Sequence, residues 1–121
     1  MKKLIALFTL VFLGFVASAQ TASVAGTPAT MKEGVKQGVF KFDMPKSTLA
    51  EEIKRTSNFY VDYFTVAFNN ESKQVTISMV DNSPEGRRVV TRFLLSNKVS
   101  VIAFDGKEYK ITEFYDNYMR E

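Results

Sequence analysis

Phe64, Val66 and Phe68 alternate with Thr65 and Ala67. After Asn69-Asn70-Glu71-Ser72, Val75, Ile77 and Met79 alternate with Gln74, Thr76 and Ser78. Successive side chains of a strand point to opposite faces, so each run has one apolar and one polar side. The polar cluster between the runs predicts an antiparallel hairpin. That hairpin is the strongest constraint in the chain. A two-stranded ribbon is marginal in water, so its apolar face demands further strands and covering helices.

The flanking sequence supplies both. Phe40, Phe42 and Met44 alternate with Lys41 and Asp43, which predicts a half-buried strand ended by Pro45. Thr48-Leu49-Ala50-Glu51 has the form of a capping box, and Leu49, Ile53 and Tyr60 recur at helical spacing, so a helix is expected from about 49 to 59. Beyond the hairpin, Ser83-Pro84 reads as an N-cap followed by Pro in the first helical position. Val89, Val90, Phe93 and Leu94 form the apolar stripe of a second helix, with Asn97 as its stop. Val99 to Phe104 is an expected strand, Asp105-Gly106 a tight turn, and Tyr109 to Phe114 a fifth strand folded back on it. The order is β-α-β-β-α-β with an added β segment. This predicts an α+β ferredoxin-like sandwich, two helices on one face of an antiparallel sheet.

The N-terminus carries Lys2 and Lys3, an apolar run from Leu4 to Val16, and Ala17-Ser18-Ala19. These are the three regions of a secretory signal peptide, and the run falls short of the ~20 residues that span a bilayer. The expected organisation is a signal peptide over 1–19, a flexible leader over 20–36 (small, polar and aperiodic) and one domain over 37–121. The protein is then exported to a periplasmic or extracellular space, touching a membrane only through the signal before cleavage. Of 16 basic side chains, removal of Lys2 and Lys3 leaves 14 against 13 acidic ones, a weak argument for an acidic partner. There is no Cys, so the exported domain is held by packing rather than by disulfides.

With the order of elements in place, Met44-Pro45-Lys46-Ser47-Thr48-Leu49, with Ile53 four residues on, resembles the first loop and helix of heavy-metal-associated domains. The run from Tyr60 to Val80 is similar to that family's second and third strands, and the likeness covers about residues 39–104. The family carries Met-x-Cys-x-x-Cys in this loop. Here Lys46 and Leu49 stand at the two Cys positions, and neither offers the soft sulfur that Cu(I) selects. Met44 alone has a weak sulfur donor, and its alternation with Phe40 and Phe42 assigns it to the core. The resemblance implies the loop architecture without its metal chemistry, so no cofactor is expected.

Other chemistry is thinly represented. With no His and no Cys, the commonest general base, the usual zinc ligands and the thiolate nucleophile are absent. Glu51 and Glu52 are helix neighbours that diverge by about 100° and cannot face each other across a substrate; they suit a helix N-terminus. Asp62 fits a strand-entry turn. Asp81-Asn82-Ser83 lacks the further ligands of a calcium loop and fits a cap. Asn70-Glu71-Ser72 matches a glycosylation sequon, meaningful only in a eukaryotic secretory host. Arg87, Arg88, Arg92 and Lys98 form a basic cluster, read as a solvated helix face or as the surface for an anionic partner. Nucleic acid is disfavoured, because RNA-binding sheets of this class present aromatics where Gln74, Thr76 and Ser78 stand. The expectation is a non-catalytic binding or interaction module. The alternatives are a metal-handling protein with non-Cys ligands and a small enzyme with a carboxylate or Tyr site.

Overall fold

The computed structural model describes residues 20–121, so the expected signal peptide lies outside the described residues. Those residues form a mixed α+β fold. In chain order the elements are β1 (Gln20–Val24), α1 (Pro28–Gln37), β2 (Val39–Asp43), α2 (Ala50–Ser57) with a 3₁₀ turn (Asn58–Tyr60), β3 (Phe64–Asn69) and β4 (Gln74–Met79). There follow α3 (Pro84–Ser96), β5 (Val99–Phe104), β6 (Lys107–Lys110) and α4 (Ile111–Phe114), with a π-helical turn over Tyr115–Met119. The six strands make one sheet in the order β3-β4-β2-β1-β5-β6.

The predicted hairpin pairs Phe64 with Met79, Val66 with Ile77 and Phe68 with Val75. β2 lies antiparallel to β4, Phe40 opposite Ile77. All these side chains share one face with Ala22, Ile102 and Phe104. The helices bury Met31, Val35, Ile53, Val89, Val90, Phe93 and Leu94 in the same cluster, so they cover that face alone. Phe64 and Phe93 meet edge to face with ring centroids 5.8 Å apart, a favoured aromatic geometry. The other face carries small and polar side chains, among them Thr65, Ala67, Thr76, Ser78, Lys41 and Ser23.

Four expectations need correction. The leader over 20–36 is structured: β1 is a central strand and α1 packs Met31 and Val35 into the core. Its polar composition hid this, because a short strand buried mainly through Ala22 leaves little periodicity to read. The sheet is not purely antiparallel, since β1 sits between β2 and β5 and runs parallel to β5, Val24 beside Phe104. Thr48 does not cap α2. The cap residue is Leu49, without a side-chain bond, while Thr48 is buried and its backbone N–H donates to Pro45 O at 3.0 Å. The last strand ends at Lys110 instead of Phe114, because Glu113 reaches back to accept from the Lys110 N–H at 3.0 Å and starts a helical turn. The turn before it is as expected: Asp105 and Gly106 have φ of 51° and 81°, the left-handed pair of a tight hairpin.

The remaining local readings agree with the structure. Ser83 Oγ accepts from the Gly86 N–H at 3.0 Å, Pro84 takes the first helical position, and Asn97 ends α3. Gly86 is required by close approach, since a Cβ there would fall 2.1 Å from Asp81 O.

Candidate functional site

The loop between β2 and α2 is braced from the neighbouring hairpin. The Met44 N–H donates to Lys73 O at 2.8 Å, and Lys73 Nζ donates to Thr48 O at 2.9 Å and Asn70 Oδ1 at 3.0 Å. Lys73 reaches both loops from a left-handed backbone, φ 61°. Met44 is buried within the core cluster, whereas Lys46 and Leu49 are exposed. The three degenerate positions thus divide between interior and surface.

Leu49 and Lys98, read separately in the sequence, are brought together. They line a cleft of about 340 Å³ with Gln20, Ser47, Glu52 and Asn97. Ser47 Oγ donates to Gln20 Oε1 at 3.1 Å, and Asn97 Nδ2 is committed to Thr56 Oγ1 and Phe93 O. Glu52 is the carboxylate of the cleft lining. The Arg55 guanidinium, hydrogen-bonded to it at 2.5 Å, holds its carboxyl below the usual range, and the charge of Lys98 acts in the same direction. A carboxylate kept ionised and occupied by arginine is a poor proton shuttle. Met44 is not in the lining. The cleft can therefore offer hydroxyl, amide and ammonium hydrogen bonds to a polar group, beside a carboxylate already paired with Arg55. Among the described residues, no three His, Cys, Asp or Glu side chains gather in a metal-binding group.

The basic cluster does not exist as one surface. Arg87 is only 5% exposed. Its Nε donates to Met119 O at 2.6 Å, Nη1 to Asn82 O and Oδ1 at 2.8 Å each, and Nη2 to Arg120 O at 3.0 Å. A buried guanidinium thus binds carbonyls at the end of the C-terminal helical segment, where a cation is favoured. The spacing contained this placement: Arg87 precedes Val90 by three residues and Leu94 by seven, on the apolar stripe of α3. Arg88 and Arg92 are exposed. Arg88 borders a hollow of about 620 Å³ that also carries Glu85, Asp116 and Arg120, so the signs there are mixed. Lys98 belongs to the cleft. Glu51, Asp62 and Asp81 are all exposed.

A surface that the sequence reading missed lies where β3 begins and β4 ends. Phe59 is 70% exposed, Val80 64%, Val61 59% and Tyr63 39%. The backbone sets Val80 beside Tyr63: Tyr63 N–H donates to Tyr60 O at 2.8 Å, and Tyr63 O accepts from Val80 and Asp81 N–H. Tyr60 is drawn inward, stacked on Phe64 and edge-on to Phe93, which leaves Phe59 outside. The available signal was that Phe59 falls off the Leu49, Ile53, Tyr60 stripe.

Comparison with protein-family models, with curated proteins and with solved structures finds no match to this chain.

Proposed function

We propose that the protein is an exported, non-catalytic interaction module that engages a partner through the apolar surface of Phe59, Val61, Tyr63 and Val80. The observation that carries this reading is the exposure of these four large side chains, Phe59, Val61 and Tyr63 being close in sequence and Val80 bonded through its backbone to Tyr63. Monomeric proteins rarely leave such groups together in water unless something covers them. The cleft beside Leu49 and Lys98 is in keeping with this reading, since its carboxylate, Glu52, is paired with Arg55. Within the fold, β2-α2-β3-β4-α3-β5 reads as the split βαβ pattern of a ferredoxin-like core into which β1 has been inserted. The resemblance of residues 39–104 to heavy-metal-associated domains then describes an inherited frame rather than an activity.

The test is affinity capture from the compartment to which the protein is exported, comparing the parent with a Phe59→Ser, Val61→Ser double variant of unchanged melting temperature. The expected result is a partner retained by the parent and lost by the variant. Equal capture by both would refute the assignment of the surface.

A further inference from the structure

The two edges of the sheet are built differently. β6, Lys107-Glu108-Tyr109-Lys110, is short and charged, the usual protection against pairing with another chain. β3, Phe64-Thr65-Val66-Ala67-Phe68-Asn69, is the opposite edge and has no charge, no Pro and no bulge in its register with β4. Val66 and Phe68 are only partly buried.

The orientation of the free backbone groups follows from the ladder. Met79 N–H donates to Gly38 O on the β2 side, so Met79, Ile77 and Val75 direct their backbone groups toward β2. Ser78, Thr76 and Gln74 therefore face β3, where their partners are Thr65, Ala67 and Asn69. That leaves the N–H and C=O of Phe64, Val66 and Phe68 pointing away from the sheet, unpaired at the edge.

We infer that β3 pairs antiparallel with β3 of a second copy, with the two-fold axis through Val66. In that register Val66 faces its own copy, Phe64 faces Phe68, and Thr65 faces Ala67. Each of the outward-facing residues donates one bond and accepts one, and a shift of the axis to Thr65 or Ala67 satisfies fewer of them. The apolar and polar faces of both sheets also stay aligned, a condition that a one-residue slip would break. Charge does not oppose the pairing, since no residue of β3 is charged and no like charges meet along the paired strands. A two-fold contact of this kind is self-complementary by construction. One short strand buries little area, so the dimer is reversible and dependent on concentration. The partner surface above adjoins one end of β3, with Tyr63 next to Phe64 and Val80 after β4, and the pairing itself uses the edge groups of Phe64, Val66 and Phe68.

Sedimentation equilibrium of the purified protein, with amide hydrogen exchange across a concentration series, tests it. A monomer–dimer equilibrium is expected, with exchange at Phe64, Val66 and Phe68 slowing at least tenfold as dimer forms, while Thr65 and Ala67 do not change. Val66→Pro removes an N–H that the monomer does not use, so it should remain folded and stay monomeric. Val66→Lys, which sets like charges face to face on the axis, provides the same readout should the Pro variant fail to fold. A parent that remains monomeric up to about 1 mM, or a folded Val66→Pro variant that dimerises as the parent does, would overturn the inference.

Discussion

Replacing Arg87 with Met removes a charge while keeping most of the side chain's bulk. Simple hydrophobicity would call this favourable at a buried site, because among the described residues the guanidinium has no carboxylate partner within salt-bridge distance. The hydrogen bonds argue the reverse. Met119 O, Arg120 O and Asn82 O each lose a charged donor, at 2.6, 3.0 and 2.8 Å. A bond to a charged group contributes about 1.5–3 kcal/mol, and a buried carbonyl left without a donor costs about 1–3 kcal/mol. Arg120 is exposed, so water recovers part of its loss. Relief from guanidinium desolvation offsets a further part. The net expectation is a destabilisation of roughly 2–4 kcal/mol, which for a domain of this size lowers the melting temperature by roughly 10–20 °C. Thermal denaturation followed by circular dichroism measures it, with Arg88→Met as the comparison. Arg88 is exposed and should stay within about 0.5 kcal/mol of the parent. A melting temperature for Arg87→Met within about 2 °C of the parent would show that the carbonyls need no guanidinium, and the reasoning would be wrong.

Tyr118 accepts or donates a hydrogen bond with Tyr109 at 2.9 Å, and that bond holds its hydroxyl above the usual tyrosine range. A raised folded value means this stabilisation is complete below about pH 10 and lost as pH climbs through the folded value. Urea midpoints should therefore decline above pH 10 in the parent and decline less in Tyr118→Phe; parallel curves would exclude the role. The unmodified protein should bind neither Cu(I) nor Zn(II), and Lys46→Cys with Leu49→Cys should gain one Cu(I) per chain, both read by native mass spectrometry. Stoichiometric copper on the parent would contradict the first half. Processing at Ala19 should leave Gln20 as the first residue of the exported form; N-terminal sequencing that begins at Met1 would count against export by a cleaved signal.

What was legible in the sequence followed the strength of its patterns. β2, β3, β4 and α3 alternate or repeat with bulky residues, and their pairing and burial are as the spacing implies. β1 was invisible because its buried position is an Ala among Gln, Thr and Ser, and α1 because only Met31 and Val35 mark its inner face. Charge misled in one place. Arg87 was grouped with Arg88 and Arg92 by residue type, although its helical position puts it on the apolar side. Leu49 and Lys98 are far apart in the chain, and no local pattern announces that they share a cleft. The apolar surface at Phe59 arises from a 3₁₀ turn that turns Tyr60 inward, which a straight helical reading does not foresee.

The central place of β1 sets an order on assembly. β2, β3 and β4 are near neighbours in sequence and can close upon one another quickly, because short loops cost little entropy. β1 pairs Gln20 with Val99 and Val24 with Phe104, at opposite ends of the described chain. A polypeptide made N-terminus first delivers β1 early and its parallel partner late. In the interval the middle of the sheet has an open flank, and β1 offers an unpaired edge toward the place of β5, where the finished protein has none. Such an intermediate invites association with other chains. Pulse-labelled hydrogen exchange should find β2–β4 amides protected before those of β1 and β5, and simultaneous protection would show that the two halves fold as one. On this logic the rate at which β5 arrives, rather than the strength of the core, governs how much of the chain reaches its native form.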